Sequence, residues 1–265
     1  MILVELRREL HDLRWGSIGY GLGLAIYVLI MIFFFPTVRD NAAVYQNMLD
    51  AYPKALREIF GIEDMTTLPG FIGAEVLSLI WPIVVAVFAI TAAAGFVAGE
   101  IERGTVDLWL SVPVRRWRLL TGKFLGLALA LGVVVLATIF GLVVGTPLVG
   151  ESLSVTGLCA LAVILYVFAL AVAGIATLLS SLLSERGKAG GLAGLLILLS
   201  YLAWVVAGLS KRWDWLRFVS IFSAFDPRPA LADGALNMLH ITVLLAVTLA
   251  TMFAALLVFE RRDMV

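Results

Sequence analysis

The chain is predicted to be an all-α integral membrane protein, and three observations carry that expectation. Of its 265 residues, 62% are hydrophobic and only 14% charged. The mean hydropathy of +1.05 lies far above that of a soluble domain. The apolar residues also fall into long runs, at 16–38, 71–98, 119–149, 155–183, 189–209 and 237–259. Each run is long enough to cross a hydrocarbon core of about 30 Å at about 1.5 Å per residue. Six spans fill most of the chain, so residues 1–265 read as a single transmembrane domain with no sizeable soluble part.

The elements follow in order. In residues 1–15, Leu3, Leu6, Leu10 and Leu13 recur at helical spacing, with Glu5, Arg8 and Asp12 elsewhere on the wheel. This pattern predicts a short interfacial helix before the chain turns inward at Gly16. The apolar run after it exceeds a secretory signal core, and no A-x-A site follows. Residues 40–70 carry Tyr45, Met48, Leu49, Tyr52, Leu56, Ile59 and Phe60 among charges, interrupted by Pro53. Two short amphipathic pieces on the outer face are expected there. Pro82 marks a bend in the second span.

Between the second and third spans lies the main polar interruption. Glu100, Arg103, Asp107 and Ser111 fall at i, i+3, i+7 and i+11, whereas Ile101, Thr105, Leu108 and Val112 form another stripe. A short two-faced helix over 100–113 is therefore predicted, ended by Pro113. A charge at the bilayer centre costs about 2.5–3.5 kcal/mol on the insertion scale, which places Glu100 and Glu102 at or beyond the interface. Arg115, Arg116, Arg118 and Lys123 then gather at the inner surface. An interfacial helix with solvated charges and a docking surface for a partner both fit this composition.

A tight hairpin is expected at Gly150-Glu151-Ser152. At the start of the fifth span, Gly187, Gly190, Gly191 and Gly194 offer overlapping G-x-x-x-G spacings for close helix approach. Residues 211–236, with Trp213, Trp215, Phe218, Phe222 and Phe225, read as an outer re-entrant or interfacial segment, either an aromatic belt or a gate.

Basic residues orient the spans. Arg7, Arg8, Arg14, Arg103, Arg115, Arg116, Arg118, Lys123, Arg186, Lys188, Arg261 and Arg262 share one side. Arg39, Lys54, Arg57, Lys211, Arg212, Arg217 and Arg228 share the other. The longer set marks the cytosol, so both termini are expected there.

Several chemistries are excluded. Basic and acidic residues balance at 19 each, which offers nothing to a nucleic acid, and a single Cys159 forms no disulfide within the chain. No phosphate loop is present: Gly122-Lys123 is followed by Phe124 and Gly187-Lys188 by Ala189, without the upstream glycine. His11 and His240 stand apart with no metal-ligand spacing, and there is no G-x-S-x-G elbow, so neither a metal site nor an enzyme is expected. Glu75 is the one carboxylate in an apolar run, at its outer end, where a solvated group is expected. An ion-coupled carrier normally places ionisable groups near the midplane.

The order Gly99-Glu100, Glu102, Gly104-Thr105, Leu110-Ser111, Pro113-Val114-Arg115 and Gly122-Lys123 resembles the intracellular segment of the ATP-binding-cassette type-two permease family. Tyr52-Pro53, Leu56, Phe60-Gly61 and Gly70-Phe71 with Glu75 are similar to that family's first outer loop, and Phe259-Glu260-Arg261-Arg262-Asp263 to its C-terminal ending. The resemblance implies a six-span permease subunit of an exporter in a bacterial or archaeal plasma membrane, paired with a second permease copy or a paralogue. It implies that ATP and Mg are bound by separate ATPase subunits and not by this chain. It also implies that Glu100, Glu102, Arg103, Gly104, Thr105, Asp107, Leu108 and Ser111 form the coupling helix that meets the ATPase. A non-transporting anchor or sensory subunit and a secondary carrier remain the alternatives, and the substrate is open.

Overall fold

A computed structural model describes residues 2–44, 53–104 and 115–262, and among these residues the secondary structure is helical throughout. Six helical spans are long and apolar enough to cross a membrane. The first is α1 (Ile2–Asp40), and the second joins α3 (Leu68–Ile72), a π-helical stretch (Gly73–Ile80) and α4 (Trp81–Ala93). The short α5 (Ala98–Glu102) follows. The third to fifth spans are α6 (Arg116–Leu148), α7 (Val155–Leu182) and α8 (Arg186–Leu209), and the sixth is α10 (Met238–Arg261). Outside them lie α2 (Lys54–Phe60) and α9 (Pro227–Asp233). Ile2 and Arg262 lie at the same end of the bundle, here called the terminal end.

The expected turn at Gly16 does not occur: α1 runs on as one helix of 39 residues. Its packing against α6 explains why. A Cβ at Gly122 would lie 2.8 Å from the Glu5 Cβ, and one at Gly126 would lie 2.7 Å from the Glu9 Cβ. The first turns of α1 thus lie alongside α6 and not flat in an interface. Farther along, Gly21 fits against Ala137, Gly141 against the backbone of Ala25, and Gly145 against Ile32 and Leu29. Apolar solvent drives helices together only weakly, so close backbone approach at small residues supplies the attraction. Gly16 itself lets Phe88 approach and makes no turn.

The expected bend at Pro82 is preceded by a wider irregularity. Over Gly73–Ile80 the helix is π-wound, and the Ser78 hydroxyl donates to the Gly73 carbonyl at 2.7 Å. Proline has no N–H to continue the ladder, and a π-stretch just before it widens the helix without exposing its backbone. The span starts with Thr67, whose hydroxyl accepts from Gly70 N at 3.2 Å. It ends at Ala93, five residues before the expected boundary at 98.

At the hairpin between α6 and α7, Gly150 takes a φ of 72°, and Ser154 caps α7 by accepting from Gly157 N at 3.0 Å. α7 is the central helix, with Leu161, Leu165, Phe168, Val172 and Ala176 buried. α8 and α10 are peripheral, and Leu195, Leu198, Leu199, Leu202, Leu249 and Phe253 are exposed on them.

The segment over 211–236 splits in two. Trp213, Trp215 and Phe218 are exposed, Phe218 at 92%. Phe222 and Phe225 turn back into the bundle. Phe225 stacks on Trp81 with centroids 6.0 Å apart, Phe168 lies 4.2 Å from Phe225, and Phe222 meets Tyr201 edge-on at 5.2 Å. Only the first half is thus an outward-facing aromatic patch. Of the two amphipathic pieces expected over 40–70, the second is α2, ended by Gly61 at φ 64°. The first, with Tyr45, Met48, Leu49 and Tyr52, falls outside the described residues.

Candidate functional site

At the terminal end, the second span breaks and changes direction. Gly95 N and Phe96 N bond three residues back to Ala92 O and Ala93 O, while Gly99 N reaches five residues back to Ala94 O. The N–H groups of Val97 and Ala98 find their partner outside the helix. The Ser180 hydroxyl of α7 accepts from them at 3.1 and 3.2 Å and donates to Ala94 O at 3.1 Å. A hydroxyl has one proton and two lone pairs, so its full capacity is engaged. Ser180 is completely buried, and the change of direction is a closed joint.

Beyond the joint, α5 is tied to two other spans. The Glu100 carboxylate lies 3.1 Å from the Lys123 ammonium of α6, with both side chains over 90% buried. Lys123 also donates to Phe96 O at 3.3 Å and sits 5.8 Å from the Phe96 ring centroid. Arg103 reaches the same carboxylate oxygen at 3.2 Å from the exposed side. Glu102 points the other way, and its Oε2 accepts from Arg186 N at 2.8 Å. That N–H belongs to the first turn of α8, where helix donors lack internal partners and negative charge is favoured. The Arg186 guanidinium donates in turn to Thr91 O at 3.0 Å, near the end of α4.

Two arginines gather the remaining helix ends. Arg116 donates to Phe259 O at 3.3 Å and Arg262 O at 2.7 Å, closing the end of α10. Arg262 donates to Ser181 O at 2.8 Å, Leu183 O at 2.9 Å and Ser184 Oγ at 2.6 Å, closing the end of α7. Cationic donors suit these carbonyl-rich C-termini. A continuous set of polar links therefore joins α5, α6, α7, α8 and α10 at one end of the bundle.

The expected site residues separate under this geometry. Glu100, expected on an outward contact face, is turned inward, because Lys123 neutralises it within the bundle. Lys123, expected with the inner-surface basic group, is buried in that pair. Arg115 and Arg118 are exposed, with Arg118 lying 5.4 Å from the Trp117 ring centroid, whereas Arg116 is half-buried against the α10 end. Glu102, Arg103 and Gly104 are exposed, and Gly104 takes a φ of 66°. Thr105, Asp107, Leu108 and Ser111 lie outside the described residues.

The glycines at the start of α8, expected to allow close helix approach in assembly, make no close approach within the chain. A Cβ at Gly187, Gly191 or Gly194 would meet nothing within 4 Å, and one at Gly190 would make only ordinary contact with Ala94 and Ile90. Within the chain, close packing is instead at Gly122, Gly126, Gly141 and Gly145. Ser180, Arg186 and Arg262 were not singled out from sequence, although Arg262 stands in the C-terminal run that carries the family resemblance.

No curated protein matches the chain. Its sequence does match the family model described as ABC-2 family transporter protein over residues 18–264. That match takes in most of the first span, all of the other five, the joint and the linked helix ends, and by it the chain belongs to the ABC-2 transporter family as a multi-pass membrane subunit.

Proposed function

We propose that the chain is the permease subunit of an ATP-driven exporter, working in pairs, with separate ATPase subunits docked at the terminal end. Both termini then face the cytosol, as the distribution of basic residues favours, in a bacterial or archaeal plasma membrane. ATP and Mg belong to the ATPase subunits, and this chain contributes the path and the docking surface. The observation that carries the reading is the joint at 94–97 with α5 beyond it. The chain leaves a span and enters a short polar helix held by three neighbouring spans, which is what a mechanical contact requires. Residues 105–113, directly after it, are the docking surface. The uncovered glycine-bearing face of α8 suits a second permease copy, since small residues permit close helix approach.

The test is capture of the chain by a tagged ATPase subunit encoded beside it, in detergent, followed by ATP turnover in liposomes. The unmodified chain is expected to be captured and to raise turnover. Asp107→Lys combined with Leu108→Asp is expected to abolish capture. Unchanged capture by that double variant overturns the docking assignment. ATP turnover without movement of any candidate substrate class would identify a sensory or anchoring subunit instead.

A further inference from the structure

Among the links at the terminal end, one joins the first N–H of a membrane-spanning helix to a side chain from a different element. Glu102 of α5 accepts from Arg186 N, the first residue of α8, at 2.8 Å. The N-cap position of α8 is Glu185, which makes no side-chain capping bond. The α8 terminus therefore draws a cap from the polar helix and not from its own sequence. Elsewhere α5 is held by groups inside the bundle: Glu100 by Lys123 of α6, and the joint before it by Ser180 of α7. α6 and α7 are packed along most of their length, whereas α8 is the least enclosed span. A displacement of α5 meets rigid neighbours on two sides and a loosely packed helix on the third.

We propose that Glu102 is the positioning residue that passes displacement of the polar helix to the fifth span, through its cap on the α8 N-terminus. The inference rests on the reading above that a partner acts on this end. The cap is a single charge-assisted contact at a helix N-terminus, where a carboxylate also interacts with the helix dipole. It acts on the axis of α8 and not on one side chain, so a shift of α5 moves the whole helix. The guanidinium bond from Arg186 to Thr91 O ties the same turn of α8 to the end of α4. It is a separate link that can be removed while the cap remains.

Arg186 allows the two links to be separated. Arg186→Ala removes the guanidinium and keeps the N–H. Arg186→Pro removes the N–H as well, at the first helical position, where proline is well tolerated and its predecessor must be extended. Glu185 already has φ −115° and ψ 126°. In a Cys159→Ala background, spin labels at Leu148→Cys and Leu209→Cys report the far ends of α6 and α8, both exposed. The complex is isolated on a tag carried by the ATPase subunit, so only docked permease is measured, with and without ATP, Mg and vanadate.

The expected result is a nucleotide-dependent change in the distance between the labels that survives Arg186→Ala and is lost in Arg186→Pro. Retention in Arg186→Pro overturns the proposal. Loss in Arg186→Ala transfers the role to the guanidinium link and overturns it equally. If Arg186→Pro yields no complex, Glu102→Gln against Glu102→Val reads the same bond from its other side. The amide oxygen of Gln should keep the change and Val should lose it, and retention in Val refutes the cap. Failure of the unmodified chain to be captured would refute the docking reading itself, a different result from a captured complex that moves without the cap.

Discussion

Ser180→Ala tests the joint directly. The hydroxyl is completely buried and serves three backbone groups, two N–H donors and one carbonyl. Ala94 O keeps a second partner in Gly99 N at 3.3 Å, so its loss is partial. Val97 N and Ala98 N would be left without an acceptor. A buried unsatisfied donor costs about 1–3 kcal/mol, which puts two of them at about 2–6 kcal/mol. In membranes, however, interhelical hydrogen bonds average only about 0.6 kcal/mol, because the unfolded reference also finds partners. Two such bonds set a floor near 1 kcal/mol, and an effect of about 2–4 kcal/mol is expected.

Ser181→Ala is the matched control. Its hydroxyl is equally buried but donates only to Thr177 O of its own helix at 3.0 Å, a carbonyl that the α-helical ladder also uses. Its loss should cost under about 1 kcal/mol. Reversible unfolding of both variants by detergent titration, followed by tryptophan fluorescence, gives the comparison. If Ser180→Ala is no less stable than Ser181→Ala, the hydroxyl does not close the joint, and the account of how the second span changes direction is wrong.

Three further outcomes are expected from the same unfolding assay. Lys123→Met removes the buried cation beside Glu100, whose carboxylate keeps Arg103 at 3.2 Å on its exposed side, and should cost up to about 3–5 kcal/mol, with much of the loss recovered when Glu100→Gln is added, because the buried pair is then gone. Gly126→Val must push Glu9 away and part α1 from α6, for about 1–3 kcal/mol, whereas Gly191→Ala, which meets nothing within 4 Å, should be neutral or slightly stabilising through helix propensity. Phe222→Ala should cost about 3–5 kcal/mol through the cavity it leaves, while Phe218→Ser, at 92% exposure, should leave stability within about 0.5 kcal/mol.

The six spans were legible because each must bury its backbone polar groups in its own helix and present apolar side chains to lipid. A run of about 20 such residues is a one-dimensional pattern, and the structure keeps all six. The boundaries were less legible where a partner decides them. Nothing in Ala92-Ala93-Ala94-Gly95-Phe96 marks Ala93 as the last residue of α4. Gly95 permits the change of direction, but Ser180, 83 residues after Val97, makes it stable. A serine near the end of an apolar run reads the same whether it faces its own helix, as Ser181 does, or a neighbour's free amides.

The charges at the candidate site carry the same lesson. The cost of an isolated charge argues for Glu100 at or beyond the interface, but that cost depends on pairing. Lys123, 23 residues away, removes the reason for Glu100 to face water. Spacing along one helix detects pairs three or four residues apart and is blind to a pair between two helices. G-x-x-x-G spacing is likewise silent about its partner: Gly122 with Gly126 and Gly187 with Gly191 are identical as patterns, yet within the chain the first pair is covered by Glu5 and Glu9 and the second is open. What separates them is the helix that lies across each. That helix is α1 for Gly122 and Gly126, and among the described residues no side chain or backbone comes within 4 Å of a Cβ built at Gly187 or Gly191.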